Sequence, residues 1–549
     1  MSPTKWQALW ARSAVSAGAL LPYLPLLGFR HVYLTDDQFT SDIFNGELPF
    51  RVLLGRVLAS GRAPTWTSEL CSGFPLAAGS SFEPISLGAF TSLAPAAALS
   101  VLVLSLVLIA AHGTYGLARR CGATRSAAVL AGIAFGGSGY FVTQLKHLAI
   151  LSTVAWMPLA LLLLDRALTP AWEAQREGVA ASPAPPLWRR LTDLALFGLV
   201  VAEQSVAGFP QSLYICGLAY ATWSGWLLLR WWRSGRERGA SVLLAGALVV
   251  AVSLGALAGA VTLLPLAELG ALSDRQGPLS WEFASMLPFA WRDLLSFVVP
   301  YANGDVSNAT YVGEGLFWEN YGYVGLATFV LALWGVVRGW RRPRVVLIAV
   351  ITLVALALVL GRHTPVFRLA WQYFPGMNRF RFPTRFLVVV DLGLALLASV
   401  GFTVLMQELR RWLAAHAPRA PQWLSLALIL GTALDLFANQ TRQNPFVAAE
   451  QWLSPPQALP ALGEQTQRAR LYSPLHNYFH RIAFRAARGW EDVEPYAVLR
   501  ETVAPNTGAY WGVATADCYA GIAPSWWVDV WGDHNRNGYL IPLLQHPAQ

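Results

Sequence analysis

Eleven apolar runs recur along this chain, and they constrain its fold more than any other feature. They lie at about 13–29, 95–118, 126–145, 148–165, 191–207, 211–229, 240–266, 321–337, 345–361, 386–406 and 421–437. The hydrocarbon core of a bilayer is about 30 Å thick, and a helix needs about 20 mostly apolar residues to cross it. The runs are of that order, so the expected fold is an all-α polytopic membrane protein with about 11 transmembrane helices. Composition agrees: 55% of the 549 residues are hydrophobic and only 13% charged, about half the charged share of a soluble protein.

Arginine gives the orientation. Alternate connections carry Arg119, Arg120 and Arg125; Arg166, Arg176, Arg189 and Arg190; Arg230, Arg233, Arg236 and Arg238; Arg338, Arg341, Arg342 and Arg344; and Arg410, Arg411 and Arg419. Positive residues collect on the cytoplasmic side of membrane proteins, so the pattern predicts an N-terminus inside and a C-terminus outside. The first run follows Lys5 and Arg12 and is followed by Arg30 and His31 rather than by a small-residue cleavage site, which marks an uncleaved first helix. The net charge of +9 is then a topology signal, and no nucleic-acid partner is expected. Residues 1–437 form the transmembrane domain, with outer loops at about 32–92 and 267–320. Residues 438–549 form a small outer lobe, expected to be mixed α/β. Cys71 and Cys518 both fall outside, where a disulfide between them is possible but not established by the sequence.

The first outer loop crowds Asp36, Asp37, Asp42 and Glu47 beside Arg51, Arg56 and Arg62. A carboxylate just outside the membrane can take a proton from an acceptor hydroxyl, or help hold Mg or Mn; it can also belong to a solvated acidic loop. Arg51, Arg56 and Arg62 lie on an amphipathic stretch, LPFRVLLGRVLASGR, which for Arg56 and Arg62 favours a helix in the membrane interface with snorkelling arginines. A second cluster, FPGMNRFRFPTRF at 374–386, sets Arg379, Arg381 and Arg385 among aromatics on the outer side, against the positive-inside trend. Guanidinium forks suit a lipid phosphate or diphosphate; pairing with an outer acid such as Glu319 is the alternative. Near membrane depth lie Glu203, Gln204, Asp391, Lys146 and His147, the last two in a tight outer turn, structural or substrate-facing. No Walker A loop, HExxH or GxSxG motif is present. The glycines of AFGGSGYF at 134–141 read as helix packing.

These residues resemble a known family. SDIFNGELPFRVLLGRVLASGRAPTWTSELCSGFPL is similar to the first outer loop of the YfhO-like membrane proteins, in the GT-C-fold glycosyltransferase superfamily. Ser41 and Asp42 stand where the family has glycine-aspartate, Pro49 and Phe50 match, and Gly61, Pro64, Trp66, Gly73 and Pro75 follow in register. GFPQ at 208–211, ENYGYVG at 319–325, RFRFPTRF at 379–386 and a PN with later GI-P at 505–524 continue the likeness in order. Ser41 for glycine, Thr67 and Ser68 for asparagine-proline, and a short outer C-terminal part depart from it. The resemblance implies transfer of a sugar from a polyprenyl-phosphate donor to an envelope glycan, lipid or protein on the outer face of a bacterial cytoplasmic (inner) membrane. It places the general base at Asp42 and requires no cofactor. Asp36, Asp37, Glu47, Arg51, Lys146, His147, Glu319, Arg379, Arg381 and Arg385 are the candidate substrate-binding residues. The competing readings are a transporter or flippase of lipid-linked glycans, with Glu203 and Asp391 as coupling residues, and a non-catalytic envelope assembly subunit. The absence of a visible inverted repeat counts against a transporter.

Overall fold

Leucine, valine and alanine occupy the whole circumference of helix Leu387–Trp412, and a helix without a polar face must be buried all round. In the computed structural model, which describes residues 3–34, 40–170, 185–235, 238–273, 276–463, 469–473 and 476–527, this helix is the central one. Its first two-thirds is almost entirely enclosed. Helices Leu326–Gly339, Pro343–Val359 and Arg125–Gly136 pack around it. A Cβ on Gly335 would collide with the Leu397 carbonyl, and one on Gly401 with the Leu331 carbonyl; glycine here lets two helix backbones touch.

The periphery is the reverse. Helices Pro210–Ser234, Arg238–Ala258 and Ala420–Gln440 are largely uncovered by the protein itself, and Val249, Leu254 and Leu257 are each more than half exposed. Apolar surface of this extent on whole helices is what a bilayer covers, and the chain is a membrane protein. Among the described residues, 7 helices are long and apolar enough to cross a membrane, fewer than the eleven expected. The other expected runs are helical but short, interrupted or more polar. Leu326–Gly339 has 14 residues and Pro343–Val359 has 17, about 21 and 26 Å at ~1.5 Å per residue. The run at 240–266, whose first part Arg238–Ala258 is one of the seven, resumes past Gly259 as Ala260–Ala271. The first run is helix Pro3–Leu20 continued as a 3₁₀ stretch, Leu21–Gly28, with Pro22 and Pro25 in it. The run at 191–207 is helix Leu187–Val206, which carries Arg189, Arg190, Asp193 and Glu203.

Connections that share the arginine signal meet at one end of the bundle. Asp165, fully buried, accepts from Arg120 at 2.6 Å and lies 3.2 Å from Arg344, while Arg166 pairs with Asp193 at 3.0 Å. The opposite end gathers the first loop, the turn around His147, the 3₁₀ turn Phe317–Glu319 and the C-terminal segment.

There the first loop is built inward. A π-helical turn, Ile43–Glu47, runs into helix Leu48–Ala59, and Pro49, which has no N–H to donate, leaves the Phe44 and Asn45 carbonyls to accept from the Tyr510 hydroxyl and the Asn506 amide. This helix does not lie open in the membrane interface as expected. It packs on Pro84–Ser92, where Gly55 abuts the Phe90 carbonyl. Arg56 is held by Glu69 at 3.0 Å and by the Ala509 carbonyl, and only Arg62 stays at the surface. The C-terminal segment covers the helix, and no local pattern could announce that.

Among its described residues the C-terminal segment is helical (Ala449–Leu453, Ala458–Leu462, His476–Ala486 and Glu494–Arg500) with one strand, Phe446–Ala448. That strand pairs antiparallel with His31–Tyr33 at the exit of the first span, His31 opposite Ala448. The lobe is thus stitched to the first loop rather than to a sheet of its own. A Cys71–Cys518 disulfide completes the stitching across 447 residues of sequence.

Candidate active site

The glycines of AFGGSGYF do more than pack. Helix Arg125–Gly136 ends at Gly137, and Ser138 restarts the chain as an N-cap whose hydroxyl accepts from the Phe141 amide at 3.4 Å. Gly139 sits against the Tyr321 ring, where a Cβ would not fit, and donates its amide to the Tyr323 carbonyl at 2.7 Å. The short helix Gly139–Thr143 then tightens into a 3₁₀ turn, Gln144–Lys146, and His147 leaves helical geometry before Leu148–Val154 begins. Lys146 and His147 are delivered side by side at the end of the bundle.

They meet Asp42. Lys146 Nζ lies 3.2 Å and His147 Nε2 3.3 Å from the same carboxylate oxygen, Oδ2. The Tyr519 hydroxyl donates to the other oxygen, Oδ1. Lys146 also sits 3.6 Å above the Trp318 ring centre, a cation–π placement that fixes a flexible side chain. Gln144 Nε2 donates to the Trp318 carbonyl at 2.9 Å, which turns its Oε1 toward His147 Nδ1 at 2.7 Å. The imidazole is therefore held by Nδ1 and presents Nε2 to Asp42.

Burial opposes ionisation of Asp42, but the Lys146 ammonium, the His147 ring and the Tyr519 hydroxyl outweigh it. They hold the carboxyl well below the usual carboxylate range. Its side chain keeps 17% of its surface exposed. Four remote segments contribute: the loop, the 139–148 turn, the Phe317–Glu319 turn and the C-terminal segment.

Glu47 and Arg51 take a different place. Arg51, 2% exposed, reaches Glu83 at 2.7 Å, the hydroxyls of Ser86 at 2.6 Å and Ser81 at 3.2 Å, and Glu47 at 3.5 Å. Glu83 also accepts from Ser152 at 2.8 Å. Burial raises the Glu47 carboxyl above the usual range in spite of Arg51. This network pins helix Leu48–Ala59 to the helices beneath. Asp36 and Asp37 lie outside the described residues.

The downstream arginines divide. Arg385, 8% exposed, pairs with Glu319 at 3.0 Å and donates to Gln211 Oε1 at 2.7 Å, with its guanidinium over the Phe209 and Phe382 rings. Glu319 is 1% exposed, so this is a closed ion pair, the alternative the sequence had left open. Arg381 is half-buried between Phe283 and Phe382, and Arg379 is exposed. Trp318 and Glu319, neighbours in sequence, link the two places: one carries Lys146, the other holds Arg385. Asp391 is fully buried in the central helix, facing the Ser138 hydroxyl and the Tyr140 amide where the chain restarts.

Among the described residues no group of three or more His, Cys, Asp or Glu side chains is placed to hold a metal ion. The donor chemistry at Asp42 is also wrong for Mg or Mn, because its nearest neighbours are a lysine ammonium and a histidine. Sequence reasoning missed Tyr519, Glu83, Gln144 and Trp318. Gln211 was quoted within GFPQ but given no role. The one available signal for Tyr519 was its neighbour Cys518, whose pairing with Cys71 draws the tail to the loop.

No family model matches the chain, and no curated protein matches it. Among solved structures it is similar to the Archaeoglobus fulgidus oligosaccharyltransferase in the apo form, at 15% identity and a TM-score of 0.41, over 84% of this chain and 58% of that one. The chain thus spans less than two thirds of that protein. A likeness of this degree transfers neither fold nor chemistry, and the chain's own residues must carry both.

Proposed function

We propose that this protein is a GT-C-type membrane glycosyltransferase. It moves a sugar from a polyprenyl-phosphate donor to a hydroxyl acceptor at the outer face of a bacterial cytoplasmic membrane, with inversion. The observation that carries the reading is the convergence of Lys146, His147 and Tyr519 on Asp42, the acid that the family resemblance singles out. The acceptor oxygen attacks the anomeric carbon, the bond from that carbon to the phosphate oxygen breaks, and its electron pair leaves with the polyprenyl phosphate. The acceptor proton passes to Asp42. A carboxylate so strongly held in its ionised form is a weak base, which suits a late proton transfer: the hydroxyl becomes acidic only as it bonds to an oxocarbenium-like carbon. Arg379 and Arg381 supply positive charge for the departing phosphate. Arg385 and Glu319 shape the ground beneath it through their mutual pair. Mg or Mn has no assigned step.

The test is transfer by purified protein in lipid, supplied with labelled polyprenyl-phosphate sugars and candidate acceptors. Asp42→Asn should lower transfer by about 10²–10⁴-fold, the usual worth of a general base, with the protein still folded. Transfer undiminished in the variant would remove Asp42 from the chemistry. A second reading, a transporter or flippase of lipid-linked glycan, is favoured by one observation, the buried Asp391 in the central helix, because intramembrane acids are functional by default. Movement of a labelled lipid-linked sugar across liposomes without glycoside formation, lost in Asp391→Asn, would select it.

A further inference from the structure

Asp391 takes no part in the transfer proposed above, yet its surroundings give it a task. It lies fully buried in the second turn of the central helix, which packs against the short helix Gly139–Thr143. A buried carboxyl needs hydrogen-bond donors, and the donors it meets belong to the place where the chain restarts.

The first four amides at the start of a helix have no acceptor within it, and inside a membrane span water supplies none. At this restart three are taken by nearby oxygens. Ser138 donates to the Phe135 carbonyl at 3.2 Å, Gly139 to the Tyr323 carbonyl at 2.7 Å and Phe141 to the Ser138 hydroxyl at 3.4 Å. The fourth is the Tyr140 amide, and it faces the Asp391 carboxyl, as does the Ser138 hydroxyl. Both are neutral donors, so what the place requires is an acceptor.

The restart is also the near end of the piece that enters the Asp42 site. Helix Gly139–Thr143 and the 3₁₀ turn Gln144–Lys146 follow one another without a loop. The far end is tied to the Trp318 carbonyl, to which the Thr143 hydroxyl donates at 3.1 Å and Gln144 Nε2 at 2.9 Å. A short rod fixed at both ends delivers its last residues to one place. Freed at the Ser138 end it tilts, and a contact of 3.2 Å between Lys146 Nζ and Asp42 leaves little room for tilt.

We infer that Asp391 is a positioning residue for the Asp42 site: by accepting from Ser138 and Tyr140 it sets where Lys146 and His147 arrive. The inference rests on the proposed transfer only for what that site does, because the placement of Lys146 can be measured without turnover.

Lys5 and Lys146 are the only lysines in the chain, so amine labelling reads that placement directly. The full chain in nanodiscs is pulsed with an acetylating reagent, and modification of Lys146 is measured against Lys5 by peptide mass spectrometry. In the native protein Lys146 is 2% exposed, held between Asp42 and the Trp318 ring, and should label slowly. Asp391→Leu removes the acceptor and should raise Lys146 labelling by about tenfold or more, since a buried amine reacts through local opening. Asp391→Asn can still accept from Tyr140 and donate to the Ser138 oxygen, and should stay within about twofold of the native protein. Ser138→Ala loses the same contact from the other side and should raise labelling in the same direction, which keeps the test open if Asp391→Leu does not fold.

Asp165→Asn, at the opposite end of the bundle, controls for general loosening: it should lower the unfolding temperature and leave Lys146 labelling unchanged. In transfer assays kcat/KM should follow the labelling, with Asp391→Asn close to the native protein and Asp391→Leu well below it. A native protein that transfers no sugar would sink the proposed reaction, while the labelling would still decide this inference. Labelling unmoved in both Asp391→Leu and Ser138→Ala, or an equal rise in Asp165→Asn, would overturn it. So would an Asp391→Asn that behaves like Asp391→Leu, because the charge of Asp391 would then be what matters, as ion-coupled transport requires.

Discussion

Two carboxylates at the same end of the bundle, Asp42 and Glu319, both face positive charge, and they come to opposite ends. Glu319 is sealed, 1% exposed, with Arg385 3.0 Å away and Gln211 completing the guanidinium's bonds. Asp42 keeps 17% of its surface open, although it has Lys146, His147 and Tyr519 around it. A closed buried pair has its charges spent on each other, and its worth is in holding elements together. A charged group with partners on one side and access on the other can still meet a substrate. Proximity of opposite charges is common to both; what separates them is how much of the side chain stays open.

The widest separation comes from activity against stability. Asp42→Asn should remove two to four orders of magnitude of transfer and leave the unfolding temperature nearly unchanged. Arg385→Ala should do the reverse in kind, leaving Glu319 buried without compensation at a cost of about 3–5 kcal/mol. It should be read as loss of folded protein in detergent, with Glu319→Gln added to the same chain recovering part of it. Full folding of Arg385→Ala with abolished donor use would break the comparison by making that arginine a substrate ligand.

Removing the disulfide with Cys71→Ser and Cys518→Ser tests how Tyr519 is kept on Asp42. The expected loss is about 2–4 kcal/mol of stability, with transfer falling more than stability alone explains. Assays held well below the new unfolding temperature, with and without reductant on the native protein, measure it.

Lys146 is the largest influence lowering the Asp42 carboxyl after burial has raised it. A base that must be ionised loses activity only as pH falls through its own pKa, so the wild-type acid limb lies below the usual carboxylate range. Lys146→Met should move that limb upward by at least one pH unit, visible in the pH profile of kcat/KM.

A third carboxylate sharpens the point at smaller scale. Asp517, 1% exposed beside Cys518, accepts the Ser473 amide at 3.0 Å on one oxygen, and burial pushes it up to about 7. Its pKa is raised above the unfolded value, so the folded state binds the extra proton between about pH 4 and pH 7. Its contribution to stability is therefore greatest below that window and declines as pH rises through it. Asp517→Asn should raise the unfolding temperature at pH 8 by a few degrees, on the order of 1 kcal/mol, and do little at pH 4. Burial raises both Asp42 and Asp517, and only Asp42 has partners such as Lys146, His147 and Tyr519 that bring it down.

Much of this was legible in the chain. The expected apolar runs fall on helices, and the arginine-bearing connections do meet at one end through Asp165 and Asp193. The number of helices that can cross a membrane by themselves was not, because hydropathy does not see the late helix start at Leu326 or the 3₁₀ tightening after Leu20. Lys146 and His147 were suspected, yet their partner was not named; the turn that presents them depends on Gly139 meeting Tyr321, about 180 residues away.

Local sequence determined the helices, their amphipathic or all-apolar character and the residue types gathered at each end, since burial in lipid and charge asymmetry act on stretches of chain and leave their period in it. The tertiary structure alone decided which charges face one another. Asp42 and Tyr519 are 477 residues apart, Glu319 and Arg385 are 66, and whether a carboxylate is sealed or open depends on what a distant segment places over it. Pairing and access are properties of three-dimensional neighbours, and no one-dimensional pattern records them.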